Sequence, residues 1–406
     1  TDILCLSVYL WNFESLMKVA QKAKAKNPNL LILVGGPECH ANTEQDWFLR
    51  YPFVDFAIYG DGEKAFKGLL DWFKDPSISI NDIPNIIHAG KKNRHEIFRF
   101  RDWPEYSPII DLSDEFLNDY NTFKSKVNDV VYMPYERTRG CMYACAFCDW
   151  QAGLHYKVNT RINDYKKEID FLAEHKMRTQ QVDANVGMMK EDIPMYEYVS
   201  KKIKDHELID LPVEPRNMAK LHKDKVAKIY DILCDASPKY NVKVSIQSIY
   251  EDVLENIDRP DVPWAEHKKI IQKLKAKHPH ANIIAELIMG LPGLTFDRIL
   301  ETHLELATVP MAKLFSYEWI LLKKSPAYSA KYREQHGLTT TKTFYPSTFG
   351  SGGPSLIKTE DFLKDPNIPV QKNQAYNIDM VYGKDLDIQG VIYNKILTKA
   401  YNTFIA

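Results

Sequence analysis

"RTRGCMYACAFCDW" occupies residues 137–150 and gathers Cys141, Cys145 and Cys148, three of only six cysteines in 406 residues. The run before it, "VVYM" at 130–133, reads as a buried strand, so the thiols fall on the loop that leaves the strand's carboxyl end. Zinc would take four ligands as a structural metal, or three and a water as a catalytic one. An iron-sulfur cubane usually takes four thiolates, and a ferredoxin-type run would need a further cysteine close by. Past Cys148 the next is Cys234, which the pattern places late in a helix. Cys5 and Cys39 belong to a separate N-terminal segment, although Cys39 follows a strand end and could approach the same mouth. A cubane on three thiolates leaves one iron open to chelate a small molecule.

Outward from this loop, strand and helix alternate. The helix "DYKKEIDFLAEHK" (164–176) carries Tyr165, Ile169 and Leu172 on one face and precedes "QQVDANVG". Helices around Met195, Val199 and Ile203, and around Val226, Ile229 and Leu233, precede "LPVEPRN" and "VKVSIQS". "WAEHKKIIQKLKAKH" precedes "NIIAELIMGLPG", and a helix near 295–307 precedes "LFSYEWILL". Six such units predict an α/β fold, a partial, TIM-like (βα)6 parallel barrel over about 131–335. Its functional groups should lie at strand carboxyl ends. Those ends hold Cys141, Asp183, Asn185, Arg216, Gln247, Ser248, Glu286 and Glu318, a polar set for positions beside buried strands.

Residues 1–75 alternate in the same way. "ILCLSV", "LLILV" and "VDFAIYG" read as strands. The first helix has Asn12 as N-cap and Leu16, Val19 and Ala23 inward; a short second one opens with a capping box from Thr43 to Asp46; a third turns Phe66, Leu69, Leu70 and Phe73 inward. This predicts an incomplete Rossmann-like domain whose strand ends carry Ser7, Gly35, Gly36, Gly60, Gly62 and Glu63, where glycine either lets a ligand approach the backbone or simply makes a turn. Three strands are few for such a sheet, and the chain opens directly on one, so a longer polypeptide with further N-terminal strands is expected. Residues 76–130 read as a linker with a small hairpin. Residues 336–406 read as a C-terminal extension with a hydroxyl- and glycine-rich loop, "TTTKTFYPSTFGSGGPSL", and a terminal helix in "GVIYNKILTKAYNTF". His40, near the Gly35-Gly36 turn, is the histidine of most interest by position.

The spacing Cys141-xxx-Cys145-xx-Cys148, with Phe147 just before the last cysteine, resembles the signature of the radical S-adenosylmethionine superfamily. The resemblance implies a 4Fe-4S cluster on the three cysteines, with S-adenosylmethionine on the open iron. One electron then yields a 5'-deoxyadenosyl radical that abstracts hydrogen from substrate. "ELIMGLPGLT" resembles the fifth-strand segment, which puts Glu286 near the cosubstrate. "VSIQSIYEDVLENIDR" resembles the fourth-strand segment, which puts Gln247, Ser248 and Arg259 near its methionine or ribose part, and "DANVG" puts Asp183 or Asn185 there. The N-terminal segments "LSVYLWN", "LVGGPE" and "YGDGE" resemble the cobalamin-binding branch, in which Ser7, Gly35, Gly36, Gly60, Gly62 and Glu63 would line the corrin and its nucleotide tail. The implied activity is methyl transfer to an unactivated carbon of a small-molecule or peptide substrate, with electrons from a flavodoxin or ferredoxin. Without cobalamin, the same frame would run a cyclisation, oxidation or rearrangement.

A non-catalytic iron-sulfur or zinc module gives no reason for the polar strand ends. A methylthiotransferase on transfer RNA would need a second three-cysteine set in the N-terminal domain and a basic tail. With 53 Lys and Arg against 54 Asp and Glu, no global field draws the chain to nucleic acid or an anionic membrane. The lysine runs fall on polar helix faces. No apolar run reaches the roughly 20 residues of a membrane span, and cysteine usage suits a reducing, cytoplasmic compartment.

Overall fold

The computed structural model describes residues 2–10, 12–39, 45–75, 77–88, 91–92, 109–111, 114–126, 132–150, 159–160, 165–346, 375–382, 386 and 388–404. The chain divides into two compact units, residues 1–102 with 342–379, and residues 103–341 with 380–406.

In the first unit, strands β1 (Ile3–Ser7), β2 (Leu31–Gly35) and β3 (Phe56–Ile58) run parallel, with Ile3 opposite Leu31 and Leu33 opposite Phe56. Their period-2 pattern splits the apolar residues between two faces. Ile32, Val34 and Ala57 pack with Met17 and Ala20 of helix α1 (Phe13–Lys26) and Phe48 of α2 (Gln45–Arg50). Leu33, Phe56 and Ile58 pack with Ala65 and Leu69 of α3 (Glu63–Lys74). The result is a sheet covered on both sides, as the alternation predicted. The hairpin β4 (Ile86–His88) and β5 (Lys91–Lys92) joins that sheet antiparallel to β3.

Three local expectations change. The α1 stripe centres on Met17 and Ala20 with Leu16 and Ala23 half-buried against the same core, and of the expected face Val19 alone is left 50% exposed. In α3 the inward stripe is Ala65, Leu69 and half-buried Trp72, and Phe66 and Phe73 lie at its margin, 39% and 44% exposed. Asn12 makes no side-chain cap bond; its Oδ1 accepts the Tyr9 N–H at 2.7 Å and its Nδ2 donates to the Ser7 carbonyl at 3.1 Å, tying down the strand-to-helix turn. Among the lysines, Lys24 is not merely solvated: it pairs with Asp55 at 2.9 Å and donates to the Leu30 carbonyl at 2.7 Å. His40 and the Thr43 to Asp46 capping box lie outside what is described of that stretch.

In the second unit, parallel strands β6 (Met133–Tyr135), β9 (Thr179–Gln181) and β10 (Val213–Pro215) form one sheet, and β11 (Asn241–Gln247), β12 (Asn282–Met289) and β13 (Lys313–Glu318) another. Short β7 (Thr138–Arg139) and β8 (Asn159–Thr160) pair antiparallel beside them. Helix α4 (Asp114–Lys126) precedes this array. Helices α5 (Tyr165–Glu174), α6 (Asp192–Asp205), α7 (Lys223–Ala236), α8 (Glu251–Asn256), α9 (Trp264–Lys277) and α10 (Phe296–Ala307) connect the strands. Ile169, Leu172, Met195, Val199, Ile203, Val226, Ile229 and Leu233 all enter one core with Val242, Val244, Ala285 and Leu287, so the helix faces read from sequence hold. Six parallel strands in two open sheets make a partial barrel.

After α11 (Ala330–Gln335), β14 (Thr339–Pro346) and β15 (Ala375–Tyr382) form a two-stranded sheet. The start of the stretch expected to be a loop is thus strand, as its threonines and aromatics favour. Its remainder, from residue 347, lies outside the described residues. The terminal helix, Ile388–Phe404, is present, and its Asn402 brackets the backbone of Leu314 with two 2.8 Å hydrogen bonds along β13. Among the described residues no helix is long and apolar enough to cross a membrane.

Candidate functional site

The cysteine loop is tied to its surroundings by backbone hydrogen bonds. Gly140, at φ 110, turns the chain out of β7 in a conformation that strains other residues. Cys141 and Cys145 are buried and Cys148 is half-buried, all as free thiols. The Cys148 N–H donates to the Cys145 carbonyl at 3.0 Å and the Trp150 N–H to Cys148 Sγ at 3.4 Å. Ala146 anchors both sides: its N–H donates to the Ile257 carbonyl at 2.8 Å, and its carbonyl accepts from Ala327 at 3.1 Å. Burial pushes the Cys148 thiol up to about 11, against the Trp150 N–H. Burial also raises Cys145, while the positive charges of Lys220 and Arg259 act in the other direction.

Among the described residues no three His, Cys, Asp or Glu side chains converge as a single metal ion would require. Cys141, Cys145 and Cys148 lie along one loop held by backbone hydrogen bonds, and among the described residues no fourth His, Cys, Asp or Glu joins them in a metal-binding group. Phe147 is half-buried between the second and third of these thiols. Cys39, named from the sequence as able to approach the barrel mouth, packs in the core of the first unit with Val8 and Tyr59. Cys234 sits in α7, buried, its thiol pushed up to about 12 by burial.

The strand-end residues divide into three groups. Asp183 turns toward the cysteine loop: its carboxylate accepts the Arg137 N–H at 2.8 Å and Gln181 Nε2 at 2.7 Å. Burial still raises it to about 6. Asn185 donates to Cys141 Sγ at 3.1 Å.

Glu286 lies on the face of the second sheet turned away from the helices. It pairs in register with Ser245, accepts that residue's hydroxyl, and its charge acts on Tyr317, which burial raises to about 12. Arg216 and Lys243 are near enough to influence each other, and burial together with Arg216 lowers Lys243.

Gln247 and Ser248 lie elsewhere. The register shifts between Ser245 and Gln247, Gln247 takes φ 62, and both residues line a small cavity with Ile299 and His303 of α10 and Asn394 of the terminal helix. Ser248 Oγ accepts the Tyr250 N–H at 3.2 Å, a turn bond. The register shift sets them beyond the Ser245–Glu286 pair, and Ile288 of β12 lines the same cavity.

Arg259 is buried and gives its Nη2 to the Ser245 carbonyl and, at 2.9 Å, to Asp261. Asp261 also holds Lys223 at 3.2 Å and His267 at 3.1 Å. Asp261, Lys223, His267, Lys220 and Tyr317 were not read from the sequence. Only a pair of flanking prolines, in "RPDVP", marks Asp261, and His267 falls on the inward stripe of α9 with Ile271 and Leu274, where an apolar pattern does not single it out.

In the first unit, Ser7 and Gly35 are register partners at neighbouring strand ends. Gly36 has φ 108, and a Cβ there would lie 2.7 Å from the Val8 carbonyl oxygen. Exposed Gly60, at φ 72, follows β3; half-buried Gly62 and exposed Glu63 begin α3. Asn85 braces this turn by donating to the Asp61 carbonyl at 3.0 Å.

Residues 1–70 match the family model of the B12 binding domain. The chain is 30% identical over 84% of its length to "Cobalamin-dependent radical SAM methyltransferase TokK" of Streptomyces tokunonensis, covering 50% of that protein. It is 32% identical over 72% of its length to a 2-(S-pantetheinyl)-carbapenam-3-carboxylate methyltransferase of Streptantibioticus cattleyicolor, covering 42% of it. The chain thus spans about half the length of these curated relatives. Its fold matches the radical S-adenosylmethionine methyltransferase TsrM of Kitasatospora setae, solved with cobalamin and a 4Fe-4S cluster, at a TM-score of 0.67 and 13% identity over 100% of this chain and 81% of that one. Curated relatives, a matched N-terminal domain and a solved fold therefore agree with the cysteine spacing, and the chain belongs to the cobalamin-binding branch of the radical S-adenosylmethionine superfamily.

Proposed function

We propose that this chain carries the core of a cobalamin-dependent radical S-adenosylmethionine methyltransferase that methylates an unactivated carbon of a small molecule. The observation that carries the reading is the anchored loop of three free thiols in a chain whose residues 1–70 match a B12-binding domain. When bound, the cluster and S-adenosylmethionine supply hydrogen abstraction and the cobalamin supplies the methyl group. The residues here hold and orient.

Cys141, Cys145 and Cys148 are the cluster ligands. The backbone bonds of Ala146 keep them in place, and Asp183 keeps the preceding loop in place. Glu286, held by Ser245, and Arg259, held by Asp261, present one acceptor and one cation for S-adenosylmethionine. Phe147, Asp183, Gln247 and Ser248 complete the set named from the sequence, with Gln247 and Ser248 acting from beyond the register shift. Ser7, Gly35, Gly36, Gly60, Gly62 and Glu63 form the proposed cobalamin contacts, where the glycines other than Gly36, whose Cβ position faces Val8, let a planar ligand approach the backbone. The electron comes from a flavodoxin- or ferredoxin-type protein. A pantetheinyl carbapenam, named for one relative, is the first acceptor to test; a peptide is the second.

The test is anaerobic purification of the natural protein from cobalamin-fed cells, with corrin absorbance, iron and sulfide content, and S-adenosylmethionine cleavage after reduction. Near-stoichiometric corrin with cleavage to 5'-deoxyadenosine is the expected result. A cluster without corrin would leave a cobalamin-independent radical enzyme and sink the methyltransferase reading.

A further inference from the structure

Two side chains from different strand ends meet at the first cysteine. Asn185 follows β9 and Lys220 follows β10; Asn185 Nδ2 lies 3.1 Å from Cys141 Sγ, and Lys220 Nζ lies 3.5 Å from Asn185 Oδ1. A primary amide can be turned either way about its last torsion, and the ammonium decides between the two. Having donors only, Lys220 must face the amide oxygen, which leaves the NH2 group facing sulfur. Lys220 is itself held, its Nζ 4.5 Å from the ring centroid of Tyr143, two residues beyond Cys141. Asn185 is 7% exposed, so its orientation is set by these neighbours rather than by solvent.

We propose that Asn185, oriented by Lys220, is a positioning residue for the cluster: its amide donates a hydrogen bond to the Cys141 sulfur and holds the cluster's reduction potential up. The inference rests on the cluster-bearing reading above. Reduction adds one electron and changes no bond, and part of the added charge falls on the thiolate sulfurs. A donor aimed at sulfur therefore stabilises the reduced form more than the oxidised one. The burial of Asn185 strengthens the effect, because little water competes.

The experiment is a redox titration of the anaerobically purified natural protein, followed by electron paramagnetic resonance without S-adenosylmethionine, the electron coming from dithionite through mediator dyes. Iron and sulfide are counted first in every sample. For Asn185→Leu the midpoint should move to more negative potential, the reduced-to-oxidised ratio at fixed potential falling about tenfold, which is about 59 mV for one electron. Asn185→Asp should move it further, because a carboxylate oxygen would face the sulfur. Lys220→Met should move it in the same direction, and Lys220→Arg should restore it. An intact cluster with an unmoved midpoint in both Asn185 variants overturns the proposal. If those variants fail to fold, an unmoved midpoint in Lys220→Met does the same. A natural protein that holds no iron-sulfur cluster overturns the functional reading as well, and the metal count tells the two failures apart.

Discussion

Asp183 and Asp261 are both buried and answer burial in opposite ways. At Asp261 burial would raise the carboxyl, yet His267, Arg259 and Lys223 outweigh it and hold it at about 2, below the ordinary 3.8. A folded value below the unfolded one adds stability above about pH 4, lost as pH falls through 2. At roughly 1.4 kcal/mol per unit this is worth about 2 kcal/mol at neutral pH. At Asp183 burial wins and the group rises to about 6. There the sign reverses: the contribution is fully present below about pH 4 and is lost as pH rises to 6. Urea unfolding of Asp183→Asn should therefore show a flatter pH dependence between about 4 and 6 than the natural chain. Asp261→Asn should cost about 3–5 kcal/mol near neutral pH, because it leaves Arg259 and Lys223 buried without their counter-charge. A loss under 1 kcal/mol would show that water reaches those cations.

At the scale of elements, the sequence was most legible where burial imposes a period. The helices through Ile169, Val199 and Ile229, and the alternating strands β11 and β12, follow their apolar residues closely. Where a helix has more apolar residues than its neighbours can cover, as at Val19, Phe66 and Phe73, periodicity fails to choose the inward stripe. The cysteines were legible because their spacing is dense and specific. Lys220, Lys223 and Asp261 were not, because two loop residues and the first residue of α7, brought together across the chain, leave no local pattern. Asn402 is of the same kind: it satisfies the N–H and carbonyl of Leu314 from a helix 88 residues later. Asn402→Leu should cost about 2 kcal/mol, from two strand groups left unpaired. Hydrogen exchange at the Leu314 amide should quicken accordingly, and unchanged exchange would mean that water takes over both bonds.

At the scale of the whole chain, each unit has its own apolar core. A ligand that binds only the closed form of one of them slows local opening there by a factor of one plus the ratio of free ligand concentration to Kd. Hydroxocobalamin added to the natural protein should therefore slow amide exchange at Val34 and Ala57 and leave Val244 and Ala285 unchanged. Slowing confined to the barrel strands would move the corrin site out of residues 1–70.

The bracket made by Asn402 also sets an order of events during synthesis. Strand β13 leaves the ribosome long before the helix that covers its flank, so a nascent chain carries an uncovered strand edge, the kind of surface that pairs with other chains. Slow translation between residues 320 and 388 would lengthen that interval, and the cell would register it as a loss of yield with no change in the finished protein.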